Sequence, residues 1–298
     1  MYKDTILKYF PMDIKNYEFI ANGWESDIVI INKELVFRFP KPNNRFDCVY
    51  EKEKTITDKI KPYITKAIIP SIKIYDTDKK SFSFLKKKKD YSKTFCVLNY
   101  IPSMDLEHAN MFENIDTKQP NIVDDLTNFI KEMHSISISL FEKDKLDANN
   151  LPFYKYKLTM NNLNFNYDNL LPFLKTNNLE DDFNCCLQIF SDFEWKDEDN
   201  VLCHNDLHQG NIMVDNVKMN GIIDFGDTIY TNYNVEFISI LKWQKPMAMQ
   251  IAKKYEKITG RKLNFAFILS VIKLNIYAKV SVKINESEKY LQKIKTFI

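Results

Sequence analysis

The residues His204-Asn205-Asp206-Leu207-His208-Gln209-Gly210-Asn211, followed 12 residues later by Asp224-Phe225-Gly226-Asp227, constrain this chain more than any other stretch. The run Val201-Leu202-Cys203 leads into a loop. Residues 212–214 then read as a strand and 221–223 as its partner, with the polar stretch 215–220 turning between them. A hairpin of this kind returns the chain to its starting edge. Asn211 and Asp224 therefore stand at adjacent strand ends, and Asp206 sits on the loop before them. Asp, Asn and Gly also serve as ordinary turn residues, so one such motif would be weak. H-x-D-x-x-x-x-N and then D-F-G, in this order and spacing, are specific. Together they offer a carboxylate beside an attacking hydroxyl and two oxygen ligands for Mg²⁺ next to nucleotide phosphates, the groups that phosphoryl transfer requires.

The rest of the chain divides around this element. Residues 1–98 read mostly as strands and hairpins, with runs at 27–31 and 34–39 joined by a tight Asn32-Lys33 turn. Residues 46–60 have helical spacing, and further strands are expected at 71–75, 81–85 and 94–100. The lysines at 86–89 read as an exposed hairpin tip. Pro102-Ser103 interrupts the pattern, and helices follow: one over 121–135, more within 151–195, then 235–242, 247–258 and 265–282. The expectation is an α+β fold of two lobes. Residues 1–98 form a β-rich nucleotide-binding lobe, 99–103 a hinge, and 104–298 a helical lobe with the catalytic loop and substrate site. A cleft between such lobes suits a nucleotide.

Composition excludes little but narrows the rest. With 45% apolar and 14% aromatic residues, the 298-residue chain is globular rather than disordered. Residues 1–8 lack the apolar core of a signal peptide, and no stretch is read as long enough to span a membrane. Five cysteines without a C-x-x-C pair suit reduced thiols in a cytoplasm. Net charge is +2, yet residues 228–298 carry 13 Lys/Arg against 4 Asp/Glu, a local +9 set against −7 for residues 1–227. No nucleic-acid reader motif accompanies that basic third, and its lysines alternate with apolar residues as on a solvated helix face. No group of residues has zinc-ligand spacing. His134 lies on an apolar helix face and reads as a core histidine, while His204 and His208 read as structural members of the loop.

With these residues in view, the chain resembles the aminoglycoside phosphotransferase family, small-molecule kinases with a protein-kinase-like fold. It is most similar within that family to the aminoglycoside 2''-phosphotransferases. The matching words are Phe37-Arg38-Phe39-Pro40-Lys41, Met133-His134-Ser135-Ile136-Ser137-Ile138, His204-Asn205-Asp206, Ile222-Ile223-Asp224-Phe225-Gly226-Asp227 and Phe237-Ile238-Ser239. The resemblance covers nearly the whole chain. It implies that Asp206 is the catalytic base or a carboxylate that orients the hydroxyl, and that Asn211 and Asp224 hold Mg²⁺. It also implies that Gly23-Trp24-Glu25-Ser26 covers the nucleotide phosphates, with Ser26 as a contact. Arg38 falls where kinases usually carry a lysine for the α/β-phosphates, and a guanidinium can grip phosphate bidentately. Glu53, or alternatively Glu51, would pair with it. Asn99, Tyr100 and Ile101 would form the hinge, offering backbone groups to the base of ATP or GTP. Asp227, Glu236 and Trp243 are candidates for substrate contact, with bracing as the competing role for the two acids.

The reading is therefore a Mg²⁺-dependent kinase of a small hydroxyl compound, with an aminoglycoside as the first acceptor considered and no nucleic-acid or membrane partner. A protein kinase is disfavoured by the missing glycine-rich loop, the absence of A-P-E and the short 228–236 segment. A pseudokinase finds support only in Arg38. Aminoglycosides are polycations, yet no acid follows Glu236 until Glu256. Carboxylates could come instead from Glu180, Asp181, Asp182, Glu194, Asp197, Glu198 and Asp199, ahead of the loop. Equally, Trp243 and the aromatics of 153–195 could floor a pocket for a macrolide, a sugar or an amino alcohol.

Overall fold

The computed structural model describes residues 2–21, 26–41, 49–76, 94–108, 120–141, 163, 165–215, 218–243 and 246–296. The turn expected at 22–25, the strand at 81–85, the lysines at 86–89 and residues 151–162 lie outside them. The N-terminal part is a five-stranded antiparallel sheet in the order β1-β2-β3-β5-β4. Its strands are β1 (Tyr17–Ile20), β2 (Ser26–Ile31), β3 (Leu35–Pro40), β4 (Ile72–Asp76) and β5 (Thr94–Asn99). Two-residue alternation assigns the faces. Val29, Ile31, Phe37, Phe39, Phe95 and Val97 form one apolar face, and Ile72, Cys96 and Leu98 belong to the other. Arg38, between Phe37 and Phe39, is thereby turned to the second face, toward helix α2 (Val49–Ile60).

The Asn32-Lys33 turn is as expected: both residues have left-handed φ, 55° and 54°, and the Glu34 N–H closes it on the Ile31 C=O at 2.9 Å. The Asn32 side chain accepts the N–H groups of Lys15 and Asn16 and donates to the Asp13 C=O, tying the N-terminal segment to the hairpin. That segment contains a helix, α1 (Tyr2–Tyr9), in a region read as strands. Eight residues carry little helical tendency alone. Packing holds this helix, with Ile6 fully buried in the apolar face and Tyr2 stacked on Phe39.

The C-terminal part holds the loop and hairpin of residues 204–224 within a set of helices. These are α3 (Pro120–His134), α4 (Tyr167–Thr176), α5 (Glu180–Ser191), α6 (Glu236–Leu241), α7 (Pro246–Thr259), α8 (Phe265–Val282) and α9 (Ser287–Lys295). Strands β8 (Ile212–Asp215) and β9 (Lys218–Ile222) make the hairpin, and β6 (Met104–Asp105) extends it. The run leading into the loop is itself a strand, β7 (Asn200–Cys203), paired with β10 (Ile229–Asn232). Helix α8 packs against α4, α5, α6 and α9. It corrects the expectation about membrane spans: its 18 residues, with mean hydropathy 1.6, are long and apolar enough to cross one. Its buried Ser270, Lys273 and Ser281 fit its place as the central core helix.

The two parts meet beneath the hinge. Ile68 bonds to β9 on both sides, its N–H donating to Asn220 C=O (2.8 Å) and its C=O accepting from Ile222 N–H (3.2 Å). Gly221 stands at this crossing because nothing larger fits. A Cβ there would lie 2.7 Å from Ile101 Cδ1 and 2.8 Å from the Ile68 oxygen.

Candidate active site

The catalytic loop is held by its own backbone and by one histidine. The His208 N–H donates to the Asp206 C=O (2.8 Å), and the Asn211 N–H to the His208 C=O (3.0 Å). Asn205 takes a left-handed φ of 69°, which asparagine tolerates better than most residues. His204 is fully buried, and its Nδ1 accepts the Asp206 N–H (3.3 Å). Its Nε2 is then the protonated nitrogen, donating to the Ile223 C=O (3.1 Å). His204 is thus a strut between loop and hairpin. His208 accepts the Gly210 N–H on Nδ1 (3.0 Å).

The three motif side chains converge. Asn211 Nδ2 donates to the Asp206 C=O (2.9 Å) and to its carboxylate Oδ2 (3.2 Å). The amide is fixed by these bonds, and its Oδ1 accepts no hydrogen bond among the described residues. The Ile223 N–H donates to the Asn211 C=O (3.0 Å), so Asn211 and Asp224 flank one rung of the hairpin. Asp224 has φ 64° and ψ 67°, a left-handed turn that swings its side chain off the strand. Its carboxylate is 41% exposed and that of Asp206 36%. An amide oxygen and a carboxylate side by side are hard donors that suit Mg²⁺. Burial raises the Asp206 carboxyl from its ordinary value; His208 and His204 oppose the shift, and Asp227 and Asp224 add to it.

Opposite them stands the sheet. Arg38 Nη1 donates to Glu53 Oε2 at 2.8 Å, and Nη2 lies 3.7 Å from Asp224 Oδ1. Of the two glutamates considered on α2, Glu53 is therefore the partner. Burial works against the Arg38 charge, but Glu53 and then Asp224 outweigh it and hold the guanidinium firmly charged. Burial also pushes the Glu53 carboxyl upward, against the pull of Arg38; the nearby Phe225 amide favours its charge without closing a hydrogen bond to Oε1. Ser26 Oγ shares a 2.6 Å hydrogen bond with Tyr50 OH and is buried, with the Arg38 guanidinium over the Tyr50 ring. Lys52, missed in the sequence, is buried beside this cluster. Burial lowers its pKa to about 8, and Asp227 opposes that.

The hinge needs one correction. The Tyr100 N–H is already given to the Glu34 C=O (2.8 Å), because β5 continues its pairing one residue past Asn99. Among the three hinge residues, the Ile101 N–H makes no backbone hydrogen bond to a described residue.

Glu236 and Trp243 are corrected as well. Both side chains are buried against the loop. Glu236 is fully buried under the loop, where Oε2 accepts the His204 N–H (2.7 Å) and Oε1 the Asn205 N–H (3.0 Å). Trp243 is buried beside it and donates Nε1–H to the Leu207 C=O (3.2 Å). Asp227 is exposed at the end of the D-F-G turn. Sequence spacing also hid a cluster behind the loop. His134, Cys203 and Glu236 bring their side-chain N, S and O atoms within 4.8 Å of one another. His134 Nδ1 bonds the Tyr255 hydroxyl (2.7 Å), and its Nε2 lies 3.6 Å from Glu236 Oε2. These residues come from three helices and a strand, so no local pattern could reveal them.

The architecture is shared with solved structures. A GDP complex of wild-type aminoglycoside 2'-phosphotransferase-IIIa aligns over 99% of this chain and 97% of its own, with TM-score 0.71 and 14% identity. A streptomycin–ATP complex of APH(2")-IIa aligns over 99% and 97%, with TM-score 0.59 and 17% identity. Spectinomycin phosphotransferase APH(9)-Ia, with ADP and spectinomycin, aligns over 98% and 92%, with TM-score 0.59 and 15% identity. At these identities the likeness shows the kinase-like fold. The family model for phosphotransferase enzymes matches residues 16–263, which hold the loop, the D-F-G turn and the Arg38–Glu53 pair. The chain belongs to the phosphotransferase enzyme family, APH.

Proposed function

We propose that this chain transfers the γ-phosphoryl group of ATP or GTP to a hydroxyl of a small molecule. The observation that carries the reading is the convergence of Asp206, Asn211 and Asp224 at one mouth, with Arg38 within 3.7 Å of Asp224. The residues divide the work. The Ile101 N–H holds the base, and Arg38, kept charged by Glu53, holds donor phosphates. Asn211 and Asp224 supply the oxygens for Mg²⁺, which when bound neutralises phosphate charge. Asp206 orients the acceptor hydroxyl and takes its proton as the new O–P bond forms and the nucleoside diphosphate leaves. Burial raises its pKa from the ordinary aspartate value, which makes it a stronger base than a solvated carboxylate.

An aminoglycoside is the acceptor that kinship supports, since the neighbouring structures hold streptomycin or spectinomycin. A macrolide, a sugar or an amino alcohol is the alternative. A pseudokinase reading is opposed by the intact ion pair at Arg38. The test is nucleotide turnover titrated with Mg²⁺ in wild type and in Asp224→Asn. Turnover should depend on Mg²⁺ and fall at least a hundredfold in the variant. Full turnover by Asp224→Asn would contradict the reading.

A further inference from the structure

Two residues of α2 hold the Arg38 guanidinium from different sides. Tyr50 and Glu53 are three residues apart on the helix, which puts them on one face of it. Glu53 takes an edge of the guanidinium, its Oε2 accepting from Nη1 at 2.8 Å. The Tyr50 ring takes the flat side, with its centre 5.4 Å from Cζ. An edge and a face together fix the plane of the fork, and with it the direction of Nη2. That nitrogen lies 3.7 Å from Asp224 Oδ1, on the other side of the mouth. A guanidinium grips phosphate through parallel N–H groups, so its plane matters as well as its charge.

Tyr50 is itself pinned. Its half-buried side chain packs on the second face of the sheet, against the cluster of Ile72, Cys96 and Leu98. Its hydroxyl shares a 2.6 Å hydrogen bond with Ser26 Oγ. The ladder explains why Ser26 is within reach. Arg38 stands opposite Ile28, and Ser26 is two residues from Ile28 on β2. Ser26 and Arg38 are therefore diagonal neighbours on one face of the sheet. Tyr50 spans that diagonal, with its ring on Arg38 and its hydroxyl on Ser26. Ser26 is only 4% exposed, and its oxygen faces Tyr50. Its connection to the site therefore runs through the tyrosine.

We propose that Tyr50 is a positioning residue for the donor phosphates: Ser26 fixes the tyrosine ring, and the ring fixes the plane of the Arg38 fork. This rests on the phosphotransferase reading for the role of Arg38. It goes beyond that reading by placing Ser26 behind Tyr50 instead of on a phosphate. The test has two arms, and the first needs no nucleotide. The chain has three arginines, Arg38, Arg45 and Arg261, so the Arg38 guanidinium is readily assigned by nitrogen NMR. Wild type should give separate Nη1 and Nη2 signals. Tyr50→Leu should speed guanidinium rotation by about threefold or more. Ser26→Ala and Tyr50→Phe keep the ring and lose the hydrogen bond, so they should speed it less. The second arm is calorimetric binding of non-hydrolysable ATP and GTP analogues with Mg²⁺, and of adenosine and guanosine, which lack phosphates. Triphosphate affinity should fall about threefold in Ser26→Ala and in Tyr50→Phe, and no further in their double variant, because both break one bond. It should fall about tenfold in Tyr50→Leu. Nucleoside affinity should hold in every variant, whereas a general structural defect would lower both. Unchanged rotation in Tyr50→Leu overturns the proposal, as do additive losses in the double variant or equal losses for triphosphate and nucleoside. Wild type that binds no triphosphate overturns the phosphotransferase reading and this proposal with it. Triphosphate binding that all variants share overturns this proposal alone.

Discussion

Arg38 Nη1 lies 2.8 Å from Glu53 Oε2, and the Glu53 side chain has no exposed surface. One ion pair thus ties β3 to α2 directly beneath Asp224. Removing one partner strands the other in a buried site. Glu53→Ala is expected to cost about 3–5 kcal/mol of folding stability, read by denaturant unfolding. Arg38→Ala should weaken nucleotide binding roughly tenfold or more, in line with the loss of a charged hydrogen bond to phosphate. Equal nucleotide affinity would place Arg38 outside the binding site.

The raised carboxyl of Asp206 gives a signed pH dependence. A base acts when deprotonated, so activity falls as pH drops through its pKa. Burial moves that pKa up. The acid limb of kcat/KM should therefore lie higher than a solvated aspartate would set it, about 4. His208→Gln should move the limb higher still, because the nearby imidazole holds the carboxyl down. A limb that stays in place in His208→Gln would remove that influence.

Behind the loop, Tyr255 supports His134, and His134 faces the Glu236 carboxylate that holds the His204 and Asn205 amides. Tyr255→Phe deletes one hydroxyl while leaving the ring packed on Phe237. The expected cost is about 1 kcal/mol. It should be read as faster hydrogen exchange at the His204 and Asn205 amides and a severalfold lower kcat at constant nucleotide KM. Unchanged exchange at these two amides would show that the hydroxyl does not support the loop.

Gly221→Ala tests the crossing below the hinge. Its added methyl would press on Ile101 and the Ile68 carbonyl. Overpacking of this kind costs about 1–3 kcal/mol, to be read as a lower urea midpoint at constant m. Wild-type stability would mean that the Ile68 segment yields freely.

Much of this was legible in the sequence because the key residues are close together along it. Asp206, Asn211 and Asp224 fall within one loop and hairpin, and local rules suffice to bring them together. Helix α8 was read over the same residues it occupies, 265–282, because an 18-residue apolar run has few other solutions. Arg38 was legible through the family resemblance, and two-residue alternation in β3 explains why it faces α2. The missed features are non-local. The α1 helix exists through Ile6 and Tyr2 packing on strands that come later. Strand β7 is four residues long and acquires its identity from β10. The burial of Trp243 and Glu236 depends on where α6 meets the loop, and the His134–Tyr255 contact joins residues 121 apart. Tyr100 looked like a free hinge donor because its partner, Glu34, lies far back in the chain, in the turn before β3.

The most direct measurement is transfer of labelled γ-phosphate from nucleotide to acceptor by wild type and Asp206→Asn, with nucleotide affinity measured on the same preparations. The variant keeps the shape of the side chain and the Asn211 contact to the Asp206 backbone but loses the proton acceptor. Nucleotide affinity should stay within about twofold, while transfer falls by about 10²–10⁴. Transfer at the wild-type rate by Asp206→Asn would contradict the central claim.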